Sequence, residues 1–350
     1  MLSSSAHAQR APAKKPDTAL AAQPNQVRGD EITPAQEAAV AKGLSWLAAA
    51  QGRDGAYGAG GGGSKHAGIT ALAGLAFMQA GNLPGRGKYG DNVQRCLDFI
   101  LASCQESGLI ASDQSHGPMY GHGFATLFLG EVYGMTGDEN VKEKLQRAVR
   151  LIQKTQNREG GWRYQPVPYD ADISVTITEI MALRAARDAG IKVEKETIDN
   201  AIKYVKNCQN PDGGFSYMAN QGGGGGSGYA RTAAGVASLY YAGIFDGNEI
   251  NNGLNYLKAY TPGKSGANAD QEGHYYYGNY YAVQAMFLAG GDYWATFYPA
   301  IRDQLIARQN KNSGAWSGDF SDDYATSMAL IILQMPNRYL PVYTGKGPGS

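Results

Sequence analysis

The chain has 350 residues, of which 43% are hydrophobic, so it is long enough to form one large domain or two ordinary ones. Its 31 basic and 31 acidic residues balance, so nothing in the composition suggests a nucleic-acid-binding surface or a polybasic membrane patch. No apolar run is long enough to span a membrane, and three cysteines without a C-x-x-C motif argue against a disulfide scaffold and a cysteine-ligated zinc site.

Residues 1–32 are predicted to form a disordered leader, because they are rich in Ala, Pro, Lys and Gln. Within them, Ala6-His7-Ala8 fits the small-x-small pattern that precedes a signal-peptidase cleavage site, although the apolar stretch that should come before it is absent. The pattern indicates an exported protein, periplasmic or extracellular. A chance match in a disordered tail is the alternative.

Residues 33–340 carry an internal repeat. A glutamine ends a helical pattern at nearly even intervals, at Gln51, Gln105, Gln156, Gln209 and Gln309. Four of them open a turn with glycine and an aromatic residue: QGRDGAY, QNREGGW, QNPDGGF and QNKNSGAW. The last interval is almost double and leaves room for one more unit, in which Tyr260 replaces the glutamine. The chain therefore contains six units.

Each unit combines two kinds of helix. The first is amphipathic, as in AIKYVKNCQ, and the second is apolar nearly all round, as in ITALAGLAFMQAG. Because a helix without a polar face must be covered on all sides, the second helices should form an inner ring inside the first. The sequence thus predicts an all-α (α/α)6 toroid in residues 33–340, followed by a flexible C-terminal tail in residues 341–350. An open solenoid is the alternative.

The inner helices align on a recurring polar residue: Thr70, Thr126, Thr176, Thr232, Asn279 and Thr326. One turn earlier stand His66, His122, Asp172, Gly228, Tyr275 and Asp322. Since units six, one, two and three are consecutive in a closed ring, we expect Asp322, His66, His122 and Asp172 to form an arc at the mouth of the cavity.

The glutamine–glycine–aromatic repeats resemble the QW-type repeats of squalene–hopene cyclases and the related repeats of protein prenyltransferase β-subunits, over about residues 35 to 335. The resemblance implies a toroid whose central cavity binds an apolar or isoprenoid-like ligand. Class II terpene cyclases of this type carry a D-x-D-D motif with a catalytic middle aspartate. The match here is Asp170-Ala171-Asp172-Ile173, which implies Asp172 as the general acid beside Asp170 but lacks the third aspartate.

Polar and aromatic residues near the predicted mouth are the candidate ligand-binding residues. They are Tyr120, Arg231, His274, Tyr275, Tyr277, Tyr280, Asp322 and Tyr324. Such a surface suits an apolar or amphipathic small molecule, or a carbohydrate bound by stacking and hydrogen bonds. Besides a cyclase, the sequence therefore allows a carbohydrate-active enzyme or a non-catalytic exported binding or scaffold protein.

No cofactor is expected, with one possible exception. His66 and His122, together with one or two aspartates, would suit zinc or a similar divalent ion. The Asp-x-Cys pair of the prenyltransferase zinc site is missing here, which argues against that activity. The alternative is structural: the histidines cap helices or bond to aspartates, and acids at helix N-termini are favoured by the helix dipole.

Overall fold

Helices account for nearly all regular structure in the computed structural model, which describes residues 31–58, 65–112, 117–219, 225–264, 269, 273–318 and 320–344. Within these ranges there are twelve α-helices and isolated β-bridges, but no β-strand. The helices are α1 (Pro34–Ala50), α2 (Ala67–Gln79), α3 (Gly90–Ala102), α4 (Pro118–Thr136), α5 (Glu139–Thr155), α6 (Ile173–Asp188), α7 (Lys195–Asn207), α8 (Tyr229–Ala242), α9 (Asn248–Lys258), α10 (Tyr275–Ala289), α11 (Gly291–Arg308) and α12 (Asp322–Leu333). Two 3-10 helices follow, Met335–Asn337 and Pro341–Thr344.

The even-numbered helices form the inner layer. Every residue of α2 is buried, and α6 is buried throughout Ile173–Ala186. The odd-numbered helices bury one face only; α5, for example, buries Val141, Leu145 and Ile152 and leaves its charged residues exposed or partly exposed. This difference follows from the sequence, because an all-apolar helix is stable only when other helices cover every side of it.

The inner layer closes into a ring. Each inner helix packs against its two inner neighbours, and α12 packs against α2. On the outside, α1 contacts both α11 and α12. The side-chain amide of Gln309, after α11, donates to the carbonyl of Ala39 in α1 at 2.8 Å. The predicted (α/α)6 toroid is confirmed, and the open solenoid is excluded.

Four of the repeat glutamines tie their unit to the following one. After α5, the Gln156 amide donates to the Gly160 carbonyl in its own turn and to the Thr197 carbonyl in α7, both at 2.8 Å. The same pair of bonds joins Gln51 to Gly55 and Asn92, Gln209 to Gly213 and Glu249, and Gln309 to Gly314 and Ala39. One side chain therefore satisfies carbonyls of a turn and of the next outer helix, which explains why it recurs.

The aromatic residue of each repeat holds the hairpin together. The Trp162 indole donates to the Ile152 carbonyl at 2.7 Å, and its backbone N–H donates to Thr176 Oγ1 at 3.1 Å. The N–H groups of Tyr57, Phe215 and Trp316 likewise donate to Thr70, Thr232 and Thr326. The recurring threonines are thus acceptors for the turn.

Unit two departs from the predicted alignment. There the turn residue is Ile110, and its N–H donates to Nδ1 of His122 at 3.1 Å. His122 therefore takes the place of the repeat threonine, and Thr126 lies one turn deeper in α4. The alignment of His122 with His66 and Asp172 is wrong by one helical turn, because α4 already begins at Pro118.

The packed fold extends beyond both predicted boundaries. Glu31 is buried and accepts a hydrogen bond from the Trp294 indole at 2.7 Å. At the other end Tyr343 is buried, with its hydroxyl 3.1 Å from that of Tyr280, and the Val342 N–H donates to Glu131 at 3.2 Å. Residues 341–344 therefore belong to the fold and not to the predicted flexible tail.

Residues 1–30, with the cleavage-like Ala6-His7-Ala8 pattern, and residues 345–350 lie outside the described residues. Export accordingly stays a prediction. In the part of the chain that the structure describes, no helix is both long and apolar enough to cross a membrane.

Candidate ligand-binding site

A cavity of about 740 Å³ lies at the N-terminal ends of the inner helices. Every inner helix contributes to its wall from its first turn or its cap: His66, Tyr120, Ser174, Arg231, Tyr277 and Tyr324. Residues of the connecting turns complete the wall, chiefly Arg163, Tyr164, Tyr217, His274 and Phe320. The closed ring thus brings side chains from all six units to one site.

The tyrosine hydroxyls of this wall are mostly engaged by protein groups. Tyr120 donates to Ser174 Oγ, and Tyr277 donates to the Ser174 carbonyl at 2.9 Å. The hydroxyls of Tyr164 and Tyr217 are hydrogen-bonded to each other. Because these four hydroxyls have partners, their rings offer the cavity mainly apolar and π surface.

Asp172 lies directly behind this wall and is fully buried. It is the N-cap of α6, where its Oδ1 accepts hydrogen bonds from the Ser174 N–H and the Val175 N–H, both at 2.9 Å, and from Ser174 Oγ at 2.6 Å. Among the described residues, Oδ2 accepts no hydrogen bond within 3.5 Å, but Arg163 Nε lies 3.6 Å from it, and the Tyr217 hydroxyl acts as a further donor to the carboxyl. Burial raises the pKa of the Asp172 carboxyl, against the opposing effect of these donors and of Arg163.

Arg163 lines the cavity and contacts both aspartates of the D-x-D match. Its guanidinium forms an ion pair with Asp170, and its Nε lies 3.6 Å from Asp172 Oδ2. The same group lies over the rings of Tyr164 and Tyr217, 5.2 and 5.9 Å from their centroids. The two aspartates of the D-x-D match are therefore close together, but both face Arg163 and neither lines the cavity.

The two histidines of the predicted arc are in different environments. His66 caps α2, its Nδ1 accepting from the Gly68 and Ile69 N–H groups, and it lines the cavity. The ring of His122 is buried, with Nδ1 bonded to Ile110 and Nε2 3.4 Å from the Ala148 carbonyl. Burial lowers the pKa of His122 to about 4.

These positions do not fit a shared metal ion. Backbone groups occupy both ring nitrogens of His122, and among the described residues there is no group of three or more His, Cys, Asp or Glu side chains that could hold a metal. The hypothesis of a divalent metal therefore finds no donor set in this part of the chain, and metal analysis of the protein would test it.

Of the predicted ligand-binding residues, Tyr120, Arg231, His274, Tyr277 and Tyr324 line the cavity. Tyr275, Tyr280 and Asp322 do not. The Tyr275 hydroxyl donates to Gln304 at 2.7 Å, and Tyr280 is buried beside Tyr343. Asp322 is exposed, because the residue that caps α12 is its neighbour Ser321.

Sequence reasoning missed Arg163, Tyr164 and Tyr217. A signal for them exists in the repeat itself, since Tyr164 and Tyr217 each stand two residues after the turn aromatic, in GWRY and GFSY. The hydrogen bond from the aromatic N–H to the inner-helix threonine fixes the start of the segment that leads to the mouth. Alignment of the turns, and not only of the inner helices, would have indicated both tyrosines.

Comparison with known proteins agrees with this architecture. Residues 126–277 match the model of the squalene–hopene cyclase C-terminal domain, and residues 30–140 match the prenyltransferase alpha-alpha toroid domain. The predicted resemblance to this repeat family is confirmed. No curated protein sequence matches the chain.

Solved structures with the same fold have diverse activities. An inactive variant of an α-1,6-mannanase from Salegentibacter, in complex with α-1,6-mannotriose, is 10% identical with a TM-score of 0.64, over 86% of this chain and 99% of that one. A variant of the type II terpene cyclase MstE from Scytonema, in complex with geranylgeranyl dihydroxybenzoate, is 14% identical with a TM-score of 0.58, over 87% and 98%. A cellobiose 2-epimerase from Spirochaeta thermophila is 13% identical with a TM-score of 0.63, over 86% and 96%. Such likeness establishes the toroid fold and leaves the activity to be argued from the site.

Proposed function

We propose that the cavity of this toroid binds an apolar or amphipathic small molecule with an isoprenoid-like body. The observation that carries the proposal is that the hydroxyls of the wall tyrosines are already hydrogen-bonded within the protein. Tyr120, Tyr164, Tyr217 and Tyr277 use their hydroxyls on protein partners, so their rings face the cavity as apolar surface. A sugar, by contrast, needs many polar groups that are free to pair with its hydroxyls.

The size of the cavity agrees with this ligand class. Its volume of about 740 Å³ falls within the roughly 300–1,000 Å³ of typical small-molecule pockets. Phe124, Ile69 and Leu72 add apolar wall below the tyrosines. Burial of an isoprenoid body here would be driven by the hydrophobic effect, with ring faces in contact with its double bonds.

The proposal can be tested by direct binding. The purified protein would be analysed by native mass spectrometry for co-purified lipid and titrated with farnesol and with α-1,6-mannotriose. We expect farnesol to bind and mannotriose not to bind. Binding of mannotriose alone would replace this proposal with a carbohydrate-binding function.

A second candidate function, acid chemistry at Asp172, is favoured by one specific observation. Burial raises the pKa of this carboxyl, which favours its protonated form, and among the described residues its Oδ2 accepts no hydrogen bond within 3.5 Å. Since the carboxyl is fully buried and does not line the cavity, a ligand would meet Oδ2 only after neighbouring side chains, such as that of Arg163, move. Transfer of that proton to an alkene or epoxide would be the first step of a cyclisation.

The Asp172→Asn variant tests this role cleanly. Asparagine is also a good N-cap, so α6 should keep its start and the variant should fold. If Asp172 is the acid, conversion of an isoprenoid substrate by the wild-type protein should stop in the variant. An unchanged rate would remove Asp172 from the chemistry and leave the binding function standing.

A further inference from the structure

Arg231 is a charged residue of the cavity wall for which the described residues supply no hydrogen-bond or ion-pair partner. It lies in the first turn of α8 and lines the cavity. Its side chain makes no hydrogen bond or ion pair with any residue in the described ranges, and it is only partly buried. Arg163, the other arginine of the wall, is already balanced by Asp170 and Asp172.

The local sequence makes room for this guanidinium. Units one and three have His66 and Asp172 as the cap of the inner helix, whereas unit four has Gly228. A Cβ at residue 228 would lie 2.6 to 3.0 Å from three atoms of the Arg231 guanidinium, so a larger residue would displace it. Glycine at this position therefore leaves space for the Arg231 guanidinium at the cavity wall.

Among the described residues, no acidic side chain of the cavity wall compensates the charge of Arg231. None of the described residues that line the wall is an aspartate or a glutamate. The tyrosine hydroxyls nearby are held as described above, and they cannot neutralise a cation. A ligand that fills the cavity thus contacts aromatic rings along most of the wall and one positive charge, that of Arg231.

We propose that the ligand is an amphipathic monocarboxylate, an apolar or isoprenoid-like body with one carboxylate, and that Arg231 binds this carboxylate. This rests on the proposed function and names its ligand class. A guanidinium matches a carboxylate through two parallel N–H···O bonds. A diphosphate carries more than one negative charge and would need further unpaired cations, which the described wall does not supply.

Three ligands that share one body test the head group. Farnesoic acid, farnesol and farnesyl diphosphate would be titrated by calorimetry into the full-length wild-type protein and into Arg231→Gln. Because a hydrogen bond to a charged group contributes about 1.5–3 kcal/mol, the carboxylate should bind roughly 10- to 150-fold more tightly than the alcohol. In Arg231→Gln this preference should vanish, while the affinity for farnesol stays within about threefold.

Lys65→Gln is the matched control. Lys65 also carries a positive charge near the start of α2, but it pairs with Asp54 on the surface and does not line the cavity. The Lys65→Gln variant should bind farnesoic acid with nearly the affinity of the wild-type protein. Equal melting temperatures of the three proteins would show that the fold is intact.

The outcomes separate this inference from the proposed function. If farnesol and farnesoic acid bind the wild-type protein equally, or if Arg231→Gln and Lys65→Gln have the same effect, the carboxylate assignment is wrong and the cavity remains an apolar binding site. Tightest binding of the diphosphate would also overturn it. If none of the three ligands binds, both the inference and the proposed function fail.

Discussion

The glycine of the repeat turn gives the sharpest test of how the units are joined. Gly160 has a φ of +102°, a region that L-residues rarely adopt. A Cβ at this position would lie 2.1 Å from the carbonyl oxygen of Asn200 in α7. The Gly160→Ala variant therefore carries two penalties, one from the backbone conformation and one from the contact with the next outer helix.

The two penalties can be separated by a control. Gly190 also has a positive φ, +84°, but a Cβ there would meet nothing within 4 Å. Gly190→Ala should thus carry only the backbone penalty, about 1–2 kcal/mol. Gly160→Ala should lose that amount and a further 1–3 kcal/mol or so, since overpacking forces neighbouring backbone to shift.

Urea unfolding followed by circular dichroism would measure both variants against the wild-type protein. The expected result is a free energy of unfolding for Gly160→Ala that lies about 1–3 kcal/mol below that of Gly190→Ala. Similar m-values would show that the comparison is between like transitions. Equal losses in the two variants would refute the idea that the turn glycine is required by the close approach of α7.

Three further predictions concern hydrogen bonds and buried charges. Gln156→Ala should lower the free energy of unfolding by about 1–3 kcal/mol in urea titrations, because the Gly160 and Thr197 carbonyls lose their donor. Burial raises the pKa of Glu131 to about 8 from an ordinary value of 4.5. The protonated carboxyl therefore contributes stability below about pH 4.5, and this contribution is lost as the pH rises through 8. The free energy of unfolding should fall by up to about 5 kcal/mol over this range. Glu131→Gln should not show this loss when unfolding curves are recorded across the same pH values. Burial lowers the pKa of His122 to about 4 from 6.5, so the neutral ring contributes stability above about pH 6.5. As the pH falls towards 4 the free energy of unfolding should decrease by up to about 3 kcal/mol. In thermal unfolding, His122→Gln should not show this loss at acid pH.

Each of these predictions has a contradictory outcome. A stable Gln156→Ala variant would mean that water replaces the amide at both carbonyls. The glutamine of Glu131→Gln can still accept the Val342 N–H, so a pH profile parallel to that of the wild-type protein would show that Glu131 does not titrate in this range. Likewise, if the stability of His122→Gln changes with pH in parallel with that of the wild-type protein, His122 does not titrate in this range.

The fold could be predicted from the sequence because the signals that specify it are local and repeated. Gln156, Gly160 and Trp162 act within one turn, and the equivalent residues recur in unit after unit. The apolar inner helices add a pattern that only a covered ring satisfies. No knowledge of long-range geometry was needed to infer twelve helices in two layers.

The site was harder to predict because it depends on where each inner helix begins. A shift of one residue makes Ser321 the cap of α12 and leaves Asp322 exposed. A shift of one turn in α4 converts His122 from a residue of the mouth into an acceptor for Ile110. Sequence alignment cannot resolve such shifts, since caps of different residue types satisfy the same backbone groups.

The turn aromatic and the inner-helix threonine, which recur among the units, also position the cavity-lining residues, which differ from unit to unit. The hydrogen bond between the Trp162 N–H and Thr176 fixes the turn to α6, and Arg163 and Tyr164 follow at once in the chain and line the cavity. The same bond therefore holds the hairpin and positions the wall. Since the N–H groups of Tyr57, Phe215 and Trp316 make the same bond to their inner helices, the residues just after the aromatic can vary without loss of the fold. A toroid built in this way can change its ligand one turn at a time, which gives a physical reason for the diversity of activities among proteins with this architecture.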